Sequence, residues 1–401
     1  MNAYYLEKPQ QQRLWRVLAT TMHATSTLDQ RLWGYRAPHK MIFLISYVFQ
    51  YFGPVAMVSQ IAYAYINFDH MASSQIEAML IMIGLNILVV TKVFSSKLEA
   101  YTTVMKNFMN EIHLFHHQTD EYSKQKLISR EKYTRWTAGT LAVCISADII
   151  LYCAVPIYHN IRNKEFIANK TAILQTSIYL VMPFDYGYNY KNWLIMHCIN
   201  TYSTTVAGYL LIVFDVVNYA IVFHVIGHIE ILKHKMAVFS DAVKSLNERE
   251  VRNKLIEMIQ YHAFVMKSFK EVQEAYGINV SVNYGFNLVM DSFFLFEIMS
   301  KDKVTAVIYT LMFSVFMGGL VLMSFILEEI RKKTDGLSDM VYSLPWETMS
   351  LSNQKMMILI LARVQPQVSF VGAGGMRTGV QPMIGIMKST FSYYVMLKKK
   401  V

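Results

Sequence analysis

Histidine side chains at helical spacing are the residues of this sequence that most readily suggest chemistry. His224 and His228 lie four residues apart, so one helical face would present both imidazoles to a metal ion. No further ligand accompanies them, and a structural histidine pair is the favoured interpretation. His113, His116 and His117 lie in a polar stretch and are interpreted in the same way. We therefore predict no metal site.

Four carboxylates occur within or at the ends of apolar stretches, where a charge is costly and usually faces protein or water. They are Asp148, Asp215, Asp291 and Glu297. A neutral or paired structural role is the favoured interpretation, and an anchoring role in a binding pocket stays open for Asp148 and Asp291. The sequence contains no nucleophile motif, phosphate-binding loop or metal-ligand signature. We therefore predict that the protein is not an enzyme and uses no cofactor.

The composition indicates that lipid surrounds much of the chain. Of the 401 residues, 54% are hydrophobic and 16% are charged, whereas a soluble domain usually carries about 25% charged residues. The formal net charge of +10 arises from basic residues that cluster at the ends of apolar stretches. That distribution suits anionic membrane lipid and not a nucleic-acid footprint, so we predict no nucleic-acid partner.

Seven stretches are candidates for membrane-spanning helices, since a span needs roughly 20 mostly apolar residues. Six are clear, at 41–66, 76–95, 138–158, 196–226, 278–299 and 304–327. The seventh, near 378–397, contains Lys388 and several hydroxyl residues, which is typical of a helix that faces water or protein. The predicted fold class is all-α, a seven-transmembrane helical membrane protein.

Basic residues and a glycosylation sequon predict the orientation. Most Lys and Arg residues outside the spans fall in segments that a cytoplasmic N-terminus would place inside the cell. The sequon Asn169-Lys170-Thr171 then falls in an extracellular loop. Seven spans that start inside place the C-terminus outside, which is the inverse of G-protein-coupled receptors. The Asp/Glu-Arg-Tyr and Asn-Pro-x-x-Tyr motifs of those receptors are also missing from this sequence.

Two regions outside the clear spans have helical patterns of their own. In 227–277, apolar residues recur at helical spacing, which predicts long cytoplasmic helix extensions. These extensions either link two spans or pack against neighbouring subunits. Before the last span, an amphipathic half-helix at 355–364 is followed by Gly372-Ala373-Gly374-Gly375, which cannot hold a helix. The seventh helix is therefore predicted to be broken.

The C-terminal region resembles the end signature of insect odorant receptors. The matching positions are Leu344-Pro345-Trp346-Glu347, Gln365-Pro366, Gly372, Gly379-Val380, Met383, Ile386-Met387-Lys388, Thr390-Phe391-Ser392-Tyr393-Tyr394 and Leu397. The details are closest to the lepidopteran branch and its pheromone-receptor clade, although Phe391 stands where many members have Tyr or Ser. Gustatory receptors share the architecture, but they typically end with a Gln-Phe after the apolar run, and this chain does not.

The resemblance implies a subunit of a heteromeric, non-selective cation channel that also contains a shared odorant receptor co-receptor. It implies a plasma-membrane location in olfactory sensory neuron dendrites. The cytoplasmic anchor between subunits would comprise 227–277 and 355–364, and the last helix of each subunit would line the pore. The apolar gate would comprise Val395, Met396 and Leu397. The lysines at 398–400 would repel cations at a fourfold outer mouth, which favours a single copy beside the co-receptor.

The ligand implied by the resemblance is a small volatile organic molecule bound between helices two to six, in the outer half of the membrane. Such a pocket should be mostly apolar with few polar anchors. Candidate contacts chosen by depth are Met79, Met82, Ile83, Ile149, Tyr152, Thr201, Thr204, Thr205, Phe293, Phe294, Tyr309 and Met312. For each residue, ordinary packing is the alternative.

The chain is predicted to divide into five segments. They are a cytoplasmic N-terminal segment at 1–40, transmembrane helices 1–4 at 41–226, a cytoplasmic helical anchor region at 227–277, transmembrane helices 5–6 at 278–327, and a connector, anchor half-helix and pore helix at 328–401. The predicted function is an odorant, or pheromone, receptor subunit. A gustatory-type receptor channel and a secondary transporter stay open as alternatives, although the two halves show none of the internal repeats that transporters usually have.

Overall fold

Helices account for nearly all of the computed structural model, which describes residues 3–71, 73–300 and 303–398. The α-helices in these ranges are α1 Arg13–Ala24, α2 Lys40–Asn67, α3 Ser73–Ser95, α4 Glu99–Asn107, α5 Glu121–Arg162, α6 Lys164–Ala168, α7 Tyr190–Ala242, α8 Glu248–Ser300, α9 Lys303–Thr334, α10 Leu337–Tyr342, α11 Leu351–Val364 and α12 Val380–Lys398. An isolated bridge between Val371 and Arg377 is the only β-type pairing in these ranges. The all-α prediction is confirmed.

The six clear predicted spans each lie within one helix, and the seventh coincides with α12 except for its first two residues. Among the described residues, α2, α3, α5, α7 and α9 are long and apolar enough to cross a membrane by length and composition alone. The fifth and seventh predicted spans lie in α8 and α12, which do not meet that criterion. Asparagines and Asp291 interrupt the apolar run of α8, and Lys388 and hydroxyl residues interrupt that of α12.

Helix α7 forms the centre of the bundle. In its most apolar stretch 89% of the residues are buried, compared with 6% in α2, so α2 lies at the periphery. Helices α5, α8 and α9 pack around α7. Residues of α7 therefore contribute to much of the interior, including the wall of the middle cavity described below.

The two ends of the bundle differ in construction. At one end, which we call the cap end, the segment 172–189 between α6 and α7 folds back over the helices and buries Leu174 and Leu180. At the other, the base end, α7 and α8 extend well past the predicted spans and join through 243–247. The extensions pack on α10 and α11 through a shared apolar core. Long helix extensions, as predicted, are therefore present.

The N-terminal segment contributes to the core at the base end. Trp15 of α1 is completely buried, and Trp33 is buried with its indole Nε1 donating to the Met105 carbonyl oxygen at 2.8 Å. The two indole rings also meet edge to face, 5.9 Å between centroids. The sequence predicts only a cytoplasmic N-terminal segment at 1–40, and the structure shows that this segment packs into the bundle.

The predicted break before the last helix is also present. Between α11 and α12 the chain forms a short hairpin, in which Gly374, Gly375 and Gly379 have φ values of +69°, +78° and +103°. Side chains other than glycine rarely adopt this left-handed region. The Tyr284 hydroxyl of α8 accepts a hydrogen bond from the Gly379 nitrogen at 3.1 Å. Gly379 is thus buried against protein, whereas Gly374 and Gly375 at the tip of the hairpin are exposed.

Candidate functional site

Two adjoining cavities lie between α3, α5 and α9, on the side of the bundle toward the cap end, and α7 lines only the second of them. The cap cavity has a volume of about 360 Å³ and lies directly beneath the segment 172–189. The middle cavity has a volume of about 100 Å³ and lies farther along the same helices, toward the base end. Together they have the position and concavity expected of a small-molecule site.

The cap cavity combines apolar side chains with several polar ones. Its helical lining includes Met79, Met82, Tyr152, Val155, His159, Glu297, Ile308 and Tyr309. Its remaining wall comes from Gln175, Thr176, Ser177 and Tyr179 of the segment 172–189. A ligand here would therefore meet both hydrogen-bonding groups and apolar surface.

Side-chain amides and an indole hold the segment 172–189 in place. Asn160 of α5 makes two hydrogen bonds to the backbone of Gln175, at 2.8 and 2.9 Å. The Trp193 indole also donates to the Gln175 carbonyl oxygen, at 2.7 Å. Asn200 of α7 donates to the Thr176 hydroxyl at 2.7 Å. Backbone groups of an irregular segment need partners when buried, and these contacts make the segment a fixed wall of the cap cavity.

Tyr152 and Met82 line both cavities and form the partition between them. The Tyr152 hydroxyl donates to the Ser177 carbonyl oxygen at 2.5 Å and lies 2.7 Å from the Met82 sulfur. The Tyr152 ring is thereby tied to the segment 172–189. Turning this ring would break one hydrogen bond and join the two volumes.

The middle cavity is mostly apolar. Its apolar lining includes Leu85, Val89, Ile145, Ile149, Leu211, Met312, Val315 and Phe316. A Cβ atom at Gly208 of α7 would overlap the side chain of Ile149. Glycine at this position therefore lets α5 approach α7 closely beside the cavity.

Four polar residues, Asn86, Asp148, Ser203 and Thr204, also face the middle cavity. The Asn86 amide donates to Gln60 Oε1 at 2.5 Å, and the Ser203 hydroxyl donates to the Ile199 carbonyl oxygen at 2.9 Å. In contrast, Asp148 Oδ1 and Thr204 Oγ1 are buried and have no hydrogen-bond partner among the described residues. The cavity thus has two polar groups satisfied by protein and two that are not.

Seven of the twelve predicted ligand contacts line these cavities. They are Met79, Met82, Ile149, Tyr152, Thr204, Tyr309 and Met312. The other five, Ile83, Thr201, Thr205, Phe293 and Phe294, do not line either cavity. Phe294 lies behind the wall, where its ring stacks on that of Phe316 with 5.8 Å between centroids. Ligand contact itself stays a prediction for all twelve residues.

The contacts predicted by depth include none from the segment 172–189, which supplies five residues to the lining of the two cavities. The sequence does contain a signal, because Ile173, Leu174, Ile178, Leu180 and Val181 are unusually apolar for a connecting loop. A loop of that kind is expected to bury side chains. The sequence could not show which helices the loop would cover.

The predicted pore residues lie at the end of α12. Val395 and Met396 are 36% and 49% exposed in this single chain, which leaves them free to face a pore, another subunit or lipid. The side chain of Leu397, and residues 399–401, lie outside the described residues. The gate therefore stays a prediction.

The four carboxylates of apolar stretches have different surroundings. Asp215 forms an ion pair with Lys92, which is the paired arrangement favoured from sequence. Asp148 lines the middle cavity and Glu297 lines the cap cavity. Asp291 is fully buried away from both cavities, and neither of its oxygens has a hydrogen-bond partner among the residues that the structure describes.

The histidines at the base end surround a carboxylate. Glu131 Oε1 accepts from the Trp15 indole at 3.2 Å and lies 2.8 Å from His113 Nε2 and 3.7 Å from His224 Nε2. All four side chains are buried. Burial and the nearby His224 lower the pKa of His113 from its usual 6.5 to about 4, so this imidazole is neutral near pH 7.

His113, Glu131 and His224 also bring three possible metal-ligand atoms within 4.8 Å of one another. However, Nδ1 of His113 accepts the backbone N–H of Phe115, and Nδ1 of His224 accepts that of Leu114, both at 3.2 Å. A neutral imidazole has one proton, which these bonds assign to Nε2. The Nε2–H group of His113 donates to Glu131, and Nε2 of His224 lies 3.7 Å from the same oxygen, so the donor set favours a structural carboxylate over a metal site.

His228 has partners of its own. Its Nε2 donates to the Ile112 carbonyl oxygen at 2.7 Å, and its Nδ1 then accepts from the Tyr261 hydroxyl at 2.8 Å. His224 and His228 therefore satisfy different groups and share no ligand position. This arrangement supports the structural interpretation of the pair.

A second carboxylate at the base end ties three helices together. Glu230 of α7 lies 2.7 Å from Arg130 and 3.2 Å from Lys126, both on α5, and 3.0 Å from Lys333 of α9. Such charge-assisted contacts between helices fix their relative positions. The base end thus contains polar groups that protein partners satisfy.

This chain is similar to known proteins in both sequence and fold. The family model described as 7tm Odorant receptor matches residues 74–391. The structure of the insect olfactory receptor OR5 from Machilis hrabei superposes with a TM-score of 0.81 at 11% identity, covering 98% of this chain and 99% of that chain. The same receptor in complex with eugenol superposes with a TM-score of 0.75 at 11% identity, covering 98% and 100%. No curated protein sequence gives a significant match.

Proposed function

Because this chain belongs to the 7tm odorant receptor family, we propose that it binds a small volatile organic ligand in the cap and middle cavities. With an odorant receptor co-receptor, it then gates a non-selective cation channel. The observation that carries this proposal is the pair of adjoining cavities between α3, α5 and α9. The receptor OR5, which has this fold, is known in complex with eugenol, and that supports a small organic ligand.

The chemistry of the cavities suits an odorant. Odorants are small and mostly apolar, and the middle cavity offers aliphatic and aromatic side chains with only four polar residues. Binding would bury apolar surface of the ligand, which contributes roughly 25 cal/mol per Å². The polar groups would then discriminate among ligands of similar size.

Helix α9 is the element that would transmit ligand binding to the pore. Tyr309 and Met312 of α9 line the cavities, and farther along the same helix Ser324 bonds to the Tyr284 hydroxyl at 2.6 Å. The same hydroxyl binds the Gly379 nitrogen, immediately before α12. A shift of α9 on ligand binding would therefore reach the start of the proposed pore helix through one tyrosine.

The base end would join the chain to its partner subunits. Helix α11 leaves Leu351, Ile358 and Leu359 about two-thirds exposed, and exposed apolar side chains of this kind suit a protein interface. We propose that α11 and the extensions of α7 and α8 contact the co-receptor. The basic outer mouth predicted at 398–400 favours one copy of this chain per channel, although residues 399–401 lie outside the described residues.

The proposed orientation places the base end in the cytoplasm and the cap end outside the cell, in the dendrite membrane of an olfactory sensory neuron. The basic residues and the sequon at Asn169 support it. Pheromone specificity is supported only by the C-terminal resemblance to the lepidopteran pheromone-receptor clade.

Whole-cell current in cells that express the chain with and without an insect co-receptor tests the proposal. The panel should include long-chain acetates, aldehydes and alcohols. A ligand-dependent cation current that requires the co-receptor is the expected result. Failure to associate with the co-receptor, or substrate uptake without a ligand-gated current, would contradict the channel function and favour a transporter.

A further inference from the structure

Two residues that line the apolar middle cavity from neighbouring helices each carry a buried polar atom without a hydrogen-bond partner. The atoms are Oδ1 of Asp148 on α5 and Oγ1 of Thr204 on α7, and the partners are missing among all residues that the structure describes. Buried polar atoms are nearly always hydrogen-bonded, so each exception requires an explanation. Two exceptions that line one cavity suggest that the missing partner is a ligand.

The carboxylate of Asp148 is the more costly of the two. An unpaired carboxyl group in apolar surroundings is strongly disfavoured, and intramembrane acids usually have a partner or a function. Asp215, in an apolar stretch of α7, is paired with Lys92. Asp148 has no such cation, so the fold keeps an acidic group beside the cavity without satisfying it.

The hydroxyl of Thr204 also departs from the usual behaviour of a helical hydroxyl. Such groups normally donate to the carbonyl oxygen one turn earlier, as the adjacent Ser203 does to Ile199 at 2.9 Å. Thr204 Oγ1 does not make this bond. It is therefore available both to donate and to accept a hydrogen bond in the cavity.

We propose that the middle cavity selects ligands that carry a hydroxyl group, which donates to Asp148 and accepts from Thr204. This inference rests on the proposed receptor function and names the chemical class of its ligand. A hydroxyl group both donates and accepts, so it satisfies both side chains at once. It also pairs with Asp148 whether the carboxyl group is ionised or protonated.

Other functional groups of similar size match this pair less well. Esters and aldehydes only accept hydrogen bonds, so they leave the ionised carboxylate of Asp148 without a donor, and hydrocarbons satisfy neither side chain. A site built for a hydrogen-bonding group rejects analogues that leave its polar atoms unpaired. A ligand that displaces water from such a site also loses affinity unless it repeats the hydrogen bonds of that water.

Matched ligands and variants provide the test. Each series compares the 1-alkanol, the aldehyde, the alkyl acetate and the alkane of one carbon number, from hexyl to dodecyl. The readout is the half-maximal concentration for cation current in cells that also express the co-receptor. For wild type, we expect the alcohol of the best-fitting series to act at a concentration roughly tenfold or more below its partners, about the value of one lost hydrogen bond.

Asp148→Leu and Thr204→Val should each remove this preference, because both replacements have similar size and no polar group. Asp148→Asn should retain part of it, since the amide still accepts a hydrogen bond. Ser203→Ala is the matched control, because its hydroxyl faces the same cavity but is already satisfied by its own helix. Surface labelling verifies that each variant reaches the membrane. If Asp148→Leu does not reach the membrane, the comparison of Thr204→Val and Asp148→Asn with wild type still tests the proposal.

The outcomes separate this inference from the receptor function. Strong responses without an alcohol preference at any chain length, or a preference that survives Thr204→Val and Asp148→Asn unchanged, would overturn the inference and leave the receptor function standing. A preference lost equally in Ser203→Ala would also overturn it. If no odorant evokes a current with the co-receptor, the proposed function itself is contradicted.

Discussion

At the base end, Glu131 is surrounded by donors from Trp15 and His113, with His224 close by, whereas Asp148 beside the middle cavity has an oxygen without a partner in the described chain. Both are acidic side chains of α5, about five helical turns apart. One end of the helix is locked to the N-terminal segment, and the other offers an unsatisfied group to a cavity. We call the surroundings of Glu131, where side chains of different segments bind each other, the holding region. We call the surroundings of Asp148, beside the middle cavity, the receiving region.

Glu131→Ala tests the holding region and should have the largest effect. It leaves the donors of Trp15 and His113 buried without an acceptor, and it opens a cavity in the core. Each unsatisfied buried donor costs about 1–3 kcal/mol, so we expect a loss of roughly 3–5 kcal/mol in the free energy of unfolding. Thermal unfolding of the detergent-purified protein measures it.

Glu257→Ala is the control for that experiment, because Glu257 is 60% exposed and its one ion pair within the described ranges is with Lys254, one turn away. Surface pairs contribute little, so this variant should unfold like wild type. Equal thermal unfolding midpoints for the two variants would show that the buried carboxylate of Glu131 does not stabilise the base end.

Gly208→Ala tests the receiving region at the point where α5 and α7 approach most closely. The added Cβ would overlap Ile149, and overpacking of this kind typically costs about 1–3 kcal/mol. Ile149 must then move, and it lines the middle cavity, so ligand potency should fall as well. Concentration–response curves and thermal unfolding check the two effects.

Gly139→Ala, on α5, is the matched control. No atom lies within 4 Å of the added Cβ, and replacing a helical glycine by alanine stabilises by about 0.5–1 kcal/mol where space permits. Ligand potency should not change. If both glycine variants behave alike, the close approach at Gly208 does not shape the cavity.

The stability of the holding region should depend on pH because of His113, which packs against Glu131. Its pKa is about 4 in the folded protein and about 6.5 when unfolded. Below about pH 6.5 the unfolded chain binds a proton that the folded chain does not, so stability is lost as the pH falls. The expected loss is about 1 kcal/mol between about pH 7 and pH 5.5. In His113→Gln, which keeps a donor but does not titrate, unfolding curves should depend less on pH; an unchanged dependence would refute the assignment.

Tyr152→Phe should have the smallest effect on stability. It removes the hydroxyl that donates to the Ser177 carbonyl oxygen, a bond with a net contribution of about 1 kcal/mol. The partition between the two cavities should loosen, and the response should shift toward longer ligands of one homologous series. A wild-type dependence on ligand length would show that Tyr152 does not divide the site.

The sequence predicted the elements well because their signals are local. Long apolar runs predicted the helices, and glycines predicted the interruption before the last helix, where Gly374, Gly375 and Gly379 adopt left-handed backbone conformations. Depth alone does not determine which face of a helix a residue occupies. Ile83, Thr201 and Thr205 are predicted from depth and do not line either cavity, and contact with a ligand stays a prediction for every residue chosen in this way.

What the sequence could not predict depends on contacts between distant segments. The wall formed by 172–189 is held in place because Asn160, Trp193 and Asn200 donate hydrogen bonds to its backbone carbonyl oxygens. Likewise, Trp15 is buried because Glu131, 116 residues later, accepts its indole hydrogen. No periodicity in either segment encodes those partners, so only the assembled bundle shows them.

The central claim is that the ligand occupies the two cavities, and Ala207→Leu tests it most directly. Ala207 lines the middle cavity, so the larger side chain would fill that volume. Tyr209→Phe, on the half-exposed surface of the same helix, is the control. At equal surface expression with the co-receptor, we predict that Ala207→Leu raises the half-maximal odorant concentration by about tenfold or more. A tenfold change corresponds to a loss of about 1.4 kcal/mol in the free energy of ligand binding. Tyr209→Phe should respond like wild type. An Ala207→Leu receptor with wild-type odorant currents would contradict the account.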